Sequence, residues 1–531
     1  MVWRSDVATH PVVRYGKSWQ NLDQREAKDF ALKVAGGVEV PDPRKRYSRL
    51  HSAVDGTRQY EMRLSGLEPD TRYYYAVYDG DDRLAGGDEN YFFVTHPVIG
   101  TDAPIRIWAV GDSGKGNETQ NGVYQGALKV MAAEDKPLNM YLHVGDMAYT
   151  HGREDEFQKG FFDMYQSTLR HAVCWPSMGN HEGHTSDGLR QTGPYYDAYV
   201  SPAYGEAGGV PSGTEAYYSF DYGRAHFICL NSYDVDRSAD AAMAQWLEKD
   251  LHATDADWLI TFFHHPPYTK GSHDSDREIE LIEMREQIMP ILEEHGVDMV
   301  LTGHSHIYER SMLIDGAYAT PTTADGVVLD DGDGHIHGDG AYHKSEGLHA
   351  HEGVAQLVIG HGGQNLTRKG AMPIMRRVQL EHGSMLIDID GDTLTSRMIN
   401  SAGETTDTFH IVKRGKANPQ IVDNPWTPVG PRVQPAGGEV VGAFELKLTP
   451  SKFWRDGAVH YTLDGSDPTQ ESPRYDGPVS LPALISPMAV RTRSFKGPDV
   501  DPSLETVVIL YPEGGGPKKK EKKPAAPPPK F

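Results

Sequence analysis

Seven side chains in this sequence have the chemistry of a transition-metal site: Asp112, Asp146, Tyr149, Asn180, His264, His304 and His306. They fall in five short loops: Gly111-Asp112-Ser113-Gly114, Gly145-Asp146-Met147-Ala148-Tyr149, Gly179-Asn180-His181-Glu182, His264-His265-Pro266-Pro267-Tyr268, and Gly303-His304-Ser305-His306-Ile307-Tyr308-Glu309-Arg310. Hard oxygen donors mixed with imidazoles suit iron, zinc or manganese, whereas calcium takes oxygen alone. Seven donors exceed what one ion with about four to six ligands takes from protein while keeping room for water, but they fit two ions that share a bridging carboxylate. Such a pair neutralises phosphoryl oxygens and lowers the pKa of a bound water, the chemistry of phosphate-ester hydrolysis without a covalent intermediate. One Gly-Asp turn alone is ordinary backbone geometry; five such loops in order make the reading specific.

Each loop follows an apolar run, at 105–110, 140–144, 172–178, 258–263 and 297–302. The runs read as strands, and in open α/β sheets ligands bind where strands end. Between them lie amphipathic stretches such as 241–251, with Trp246, Leu247 and Leu251 on one helical face. Residues 104–414 therefore read as an α/β domain. Residues 1–98 are short alternating runs separated by turns, a small β-sandwich. After a linker at 415–430 the chain returns to strands over 431–511, and 512–531 is a Lys, Pro and Ala tail expected to be disordered.

The 531 residues carry 52 Lys plus Arg against 75 Asp plus Glu, a formal net charge of -23, which excludes a nucleic-acid coat. No apolar run approaches the roughly 18 residues of a membrane helix. The 2 cysteines, Cys174 and Cys229, cannot form a disulfide framework and read as buried thiols. The first residues lack the regions of a secretory signal, so either the protein stays inside or its true start lies upstream of Met1.

The order GDxG, GDxxY, GNHE, a histidine closing an apolar strand, then GHxHxYER resembles the purple acid phosphatases of the calcineurin-like metallophosphoesterases, over residues from about 12 to 411. The run Leu67-Glu68-Pro69-Asp70-Thr71-Arg72-Tyr73-Tyr74-Tyr75 resembles the tyrosine corner of fibronectin type III domains, which large members of that family carry in front, although the usual first strand is missing before Trp3. Val459 to Thr469 and Tyr475-Asp476-Gly477-Pro478 resemble the small β-sandwich at the C-termini of chitobiases, an accessory module that would bind glycan or a surface. The implied fold is multidomain, β + α/β + β, with a central four-layer α/β/β/α metallophosphoesterase domain flanked by two small β-sandwich domains.

Carried over by position, the resemblance implies a ferric ion held by Asp112, Asp146, Tyr149 and His306, with Asp146 bridging to a second ion. That ion, zinc, manganese or ferrous iron, would take Asp146, Asn180, His264 and His304. His181, directly after Asn180, and His273, 273 - 264 = 9 residues past His264, are the candidates for protonating the leaving group, although the family often has a His pair where this chain has His273-Asp274. The resemblance also implies a secreted or periplasmic location and small phosphorylated substrates. The leading function is a phosphomonoesterase. A phosphodiesterase or nucleotide pyrophosphatase would use the same metal core, and a glycan- or surface-binding protein with an inert central domain is the reading from another class.

Several nearby residues read as structural. His265 follows a strand-end ligand and points the other way; Glu182, Tyr308, Glu309 and Arg310 brace loops or pair. The Asp-, His- and Gly-rich stretch 330–351 fails the calcium-loop spacing, lacking an acid at the twelfth position from either Asp330 or Asp331, and reads as a mobile loop. His361 sits in Gly360-His361-Gly362-Gly363, a loop that lies near the dinuclear site in relatives. The lysine run at 518–523 reads as a solvated tail.

Overall fold

The computed structural model describes residues 1–7, 10–22, 25–35, 57–134, 136–413, 431–435, 438–450, 457–497, 502–503 and 505–515. The linker expected at 415–430 and the tail beyond residue 515 lie outside the described residues.

Two sheets form the middle of the chain. The seven-stranded sheet runs, edge to edge, through Val173–Pro176, Met140–His143, Ile105–Val110, Gly383–Asp390, Thr393–Asn400, Thr405–Lys413 and Tyr342–Lys344. The eight-stranded sheet runs through Tyr218–Tyr222, Ala225–Cys229, Trp258–Phe262, Met299–Thr302, Val354–Ile359, Tyr308–Ile314 and Val328–Asp330, with Met375–Gln379 beside Tyr308–Ile314. Strand alternation sorts their side chains. Ile105, Ile107 and Ala109 pack with Phe227, Ile260, Leu301 and Leu357 in a core between the sheets, while Trp108 and Val110 face the outer core under the helix Glu118–Glu134. Under the other sheet the helix Ala242–Ala253 buries Met243, Trp246, Leu247 and Leu251, the face expected from sequence. Helix, sheet, sheet and helix are the four layers, and burial on both faces explains why these strands read as nearly unbroken apolar runs.

The first three strands of the seven-stranded sheet are parallel, as are Ala225–Cys229, Trp258–Phe262 and Met299–Thr302. Their C-terminal ends carry all five donor loops. The stretch 330–351, expected as a loop, contributes the strand Tyr342–Lys344, parallel to Thr405–Lys413.

Ahead of this lies a β-domain of a three-stranded sheet (Val2–Ser5, Arg58–Met62, Phe30–Ala35) and a five-stranded sheet centred on Pro11–Gly16 and Arg72–Asp79. The tyrosine corner forms: the Glu68 N–H donates to Tyr73 Oη at 3.0 Å. This domain grips its neighbour. Tyr75 Oη donates to the Arg170 carbonyl at 2.8 Å, Phe92 stacks on His171 with centroids 5.0 Å apart, and Arg4 pairs with the buried Glu154.

The C-terminal unit, by itself, has a three-stranded sheet (Arg432–Gln434, Phe444–Thr449, Val479–Leu481) and a four-stranded sheet (Gly438–Val440, Thr506–Pro512, Met488–Phe495, Ala458–Thr462). Its small core is built on Val433, Leu446, Leu448, Val459, Val490 and Leu510. Both cysteines are free thiols; Cys229 is buried and Cys174 half-buried. No helix among the described residues is long and apolar enough to cross a membrane.

Candidate metal centre

The strand ends bring the seven candidate donors together. Tyr149 Oη lies 2.9 Å from Asp146 Oδ2 and 3.2 Å from Asp112 Oδ1, and His306 Nε2 is 3.6 Å from the same Asp112 oxygen. On the other side of Asp146, its Oδ1 is 3.5 Å from His264 Nε2, which is 3.1 Å from Asn180 Oδ1; His304 Nδ1 is 2.9 Å from that amide oxygen. The donors thus form two groups that meet at Asp146, and all three groups Asp112, Asp146 and His264 are fully buried.

The glycines of these loops have a steric reason. Three of them make room for a donor arriving from another strand. A Cβ on Gly145 would stand 2.4 Å from His264 Nδ1, one on Gly179 2.2 Å from Asp146 Oδ1, and one on Gly303 2.4 Å from Asp112 Oδ2. Three donors occupy left-handed backbone: Asp112 at φ 54°, Asp146 at φ 57° and His304 at φ 63°. Non-glycine residues are uncommon there, and such strain gathers at sites the surroundings over-determine. Glu182 supplies much of that support: its carboxylate accepts the backbone N–H groups of Asp146, Met147, Ala148 and Gly179 at 2.8 to 3.0 Å.

Burial and mutual contact perturb every titratable donor of the cluster. Burial pushes the Asp112 carboxyl up to about 7. Burial opposes ionisation of Asp146 too, but His264 and His181 outweigh it and hold that carboxyl well below the usual range. His264 is also disfavoured as a cation by burial, yet Asp146 and Asp112 raise it to about 9, whereas burial lowers His304 to about 3 and His306 to about 4. The Tyr149 phenol is driven well up by burial and by Asp112 and Asp146. Two carboxylates, a phenol, an amide oxygen and three imidazoles in one buried cluster are a donor set that metal cations complete.

His181 donates its Nδ1–H to the Thr150 carbonyl at 2.7 Å, which leaves Nε2 on the cluster side, 3.8 Å from Asp146 Oδ2. His273 lies beside the second group, its ring centroid 3.7 Å from that of His304 and 6.3 Å from that of His306. Its neighbour Asp274 turns away to Lys270 and Arg277. His265, expected to point the other way, bonds Ser232 Oγ at 2.9 Å while its ring lies against that of His304, centroids 4.4 Å apart. Glu309 and Arg310 do not pair with each other: Glu309 accepts from Thr269 Oγ1, and Arg310 and Tyr308 both bond Asp407. His361 is buried beside Tyr308, centroids 5.4 Å apart, and burial lowers it to about 3, so it is a neutral ring. Glu278 is the residue sequence reading missed. It accepts from His273 Nδ1 at 2.7 Å and lies 3.6 Å from His304 Nε2.

Residues 105–308 match the calcineurin-like phosphoesterase model, 1–95 the purple acid phosphatase N-terminal domain, and 435–501 the chitobiase/beta-hexosaminidase C-terminal domain. Purple acid phosphatase 23 of Arabidopsis thaliana is 29% identical over 337 residues, 58% of this chain and 69% of that protein. A purple acid phosphatase of Glycine max is 28% identical over 254 residues, 47% of this chain and 52% of that one, and an uncharacterized protein of Mycobacterium tuberculosis is 25% identical over 364 residues, 62% of each. The chain thus spans between about half and two-thirds of these relatives' lengths. The purple acid phosphatase PPD1 from yellow lupin seeds shares the fold, with a TM-score of 0.61 at 18% identity over 79% of this chain and 72% of that one.

Proposed function

We propose that this chain, whose central domain is a calcineurin-like phosphoesterase domain and whose N-terminal domain is of the purple acid phosphatase type, is a dinuclear-metal phosphatase that hydrolyses phosphate monoesters. The observation that carries the reading is the convergence of seven donors from five strand ends into two groups meeting at Asp146. Asp112, Asp146, Tyr149 and His306 would hold one ion, ferric iron on the strength of the phenolate, and Asp146, Asn180, His264 and His304 the other, zinc, manganese or ferrous iron. When bound, the ions supply positive charge to the phosphoryl oxygens and acidify water.

The chain's own residues do the rest. Asp146 joins the two groups; Glu182 fixes the loop from which it projects. His181 and His273 flank the cluster as proton donors to the departing oxygen, their Nδ1 atoms already engaged by Thr150 and Glu278. At long range the net charge of -23 repels phosphate anions, so capture rests on local charge at the site. The domain at 435–501 suits a glycan or a surface, and a secreted or periplasmic location belongs to the same proposal.

The experiment is metal analysis of the purified protein with a visible spectrum, alongside hydrolysis of 4-nitrophenyl phosphate and bis(4-nitrophenyl) phosphate. Two metals per chain, a visible absorption band and preference for the monoester are expected. A preference for the diester moves the assignment to a phosphodiesterase; absence of bound metal after reconstitution refutes it.

A further inference from the structure

Resting on that reading, we infer that Glu278 is a positioning residue for the leaving group: its carboxylate orients His273 against the face of His304. The geometry is specific. Glu278 Oε2 accepts from His273 Nδ1 at 2.7 Å and stands 3.6 Å from His304 Nε2, while Oε1 accepts the Asp274 N–H at 2.9 Å. These three side chains form a second metal-ligand-like cluster beside the first. His304 offers its other nitrogen, Nδ1, to the donor group at Asn180 at 2.9 Å.

The consequence for His273 follows from hydrogen counting. A carboxylate only accepts, so His273 Nδ1 carries a hydrogen and Nε2 is the edge left for substrate. The ring is held from both sides, by Glu278 and by the face of His304 at 3.7 Å. In the step this serves, the P–O bond to the leaving group breaks and its electron pair stays on the leaving oxygen. The Nε2 proton of the imidazolium neutralises that oxygen to the alcohol, water supplies the new oxygen on phosphorus, and the ring regains its proton from solvent. Asp274 does not share the task, being committed to Lys270 and Arg277.

The test separates proton donation from general damage by leaving-group dependence. Wild type, Glu278→Ala, Glu278→Gln, His273→Ala and the double variant Glu278→Ala/His273→Ala are assayed on 4-nitrophenyl phosphate, whose leaving group needs little protonation, and on phenyl phosphate, whose leaving group needs more. Glu278→Ala is expected to lower kcat on phenyl phosphate by about 10²-fold, the scale of a general-acid contribution, and by roughly tenfold less on the nitrophenyl ester. The double variant is expected to be no slower than His273→Ala, because the residues act as one unit. Glu278→Gln keeps the side chain's volume and an acceptor oxygen for His273 Nδ1, so it is expected to restore most of the phenyl phosphate rate that Glu278→Ala loses; a glutamine variant as selectively slow as alanine overturns the positioning role. Equal losses on both esters, or losses that multiply in the double variant, overturn the assignment of Glu278. A wild type inert on both esters instead refutes the phosphatase reading beneath it.

Discussion

Among single residues, Asp146 has the most to lose. It touches Tyr149 through one oxygen and faces His264 through the other, so removing its charge weakens both donor groups at once. Asp146→Asn is expected to abolish turnover and lower the bound metal, read by elemental analysis and a nitrophenyl phosphate assay; near-normal activity would show that Asp146 does not bridge. Tyr149→Phe is expected to abolish the visible band that the proposed centre predicts, read by a visible spectrum of the reconstituted protein. Protons compete for the same donors. Asp112, pushed up to about 7, and His264, raised to about 9, must both lose a proton to ligate, so loading releases protons. Apparent zinc affinity should therefore rise with pH between about 6 and 9, by roughly tenfold per pH unit for each proton displaced. Calorimetric titration in buffers of different ionisation enthalpy measures that release directly.

Strand ends and the glycines beside them set the element scale. Gly179→Ala puts a Cβ against Asp146 Oδ1 and the Asp146 backbone nitrogen, at 2.2 and 2.4 Å. The clash is with a loop pinned by Glu182, which has little freedom to give. Metal content should fall and activity drop by about 10²-fold, a loss within the range that misplacement by about 1 Å produces, while circular dichroism remains that of the folded protein. The same elements explain what could be read in advance. Each donor loop is contiguous with an apolar strand, so Asp112, Asp146, Asn180, His264 and His304 announce themselves by local sequence, and so do the four layers, through runs too apolar to be anything but doubly buried. Glu278 does not. It precedes the short helix Ile279–Glu283, a place where a glutamate is ordinary, and its role arises only because the chain folds it onto His304, 304 - 278 = 26 residues on. Nor does the strand at Tyr342–Lys344 show in a stretch whose Asp, Gly and His content reads as loop; its pairing with Thr405–Lys413 is a tertiary contact.

Over the whole molecule, the N-terminal β-domain reaches the short helix Glu154–Phe157 that follows the candidate donor Tyr149. Arg4 pairs with Glu154, which is 2% exposed and lies five positions after Tyr149 (154 - 149 = 5). Removing the arginine leaves a buried carboxylate without its cation, a change of about 3 kcal/mol. Arg4→Ala should therefore lower the melting temperature and also weaken metal retention, and dialysis against a chelator followed by metal analysis would read the second effect; full retention would mean that the domain only shields the helix. The left-handed turns at Asp112, Asp146 and His304 have one more consequence. Glycine is at ease in that conformation and valine is not, so Asp112→Gly or His304→Gly would delete a donor while sparing the turn, where a valine would forfeit both. Such blank scaffolds, melted with and without added zinc, would weigh how much of the fold's endurance is owed to its cargo and how much to the chain itself.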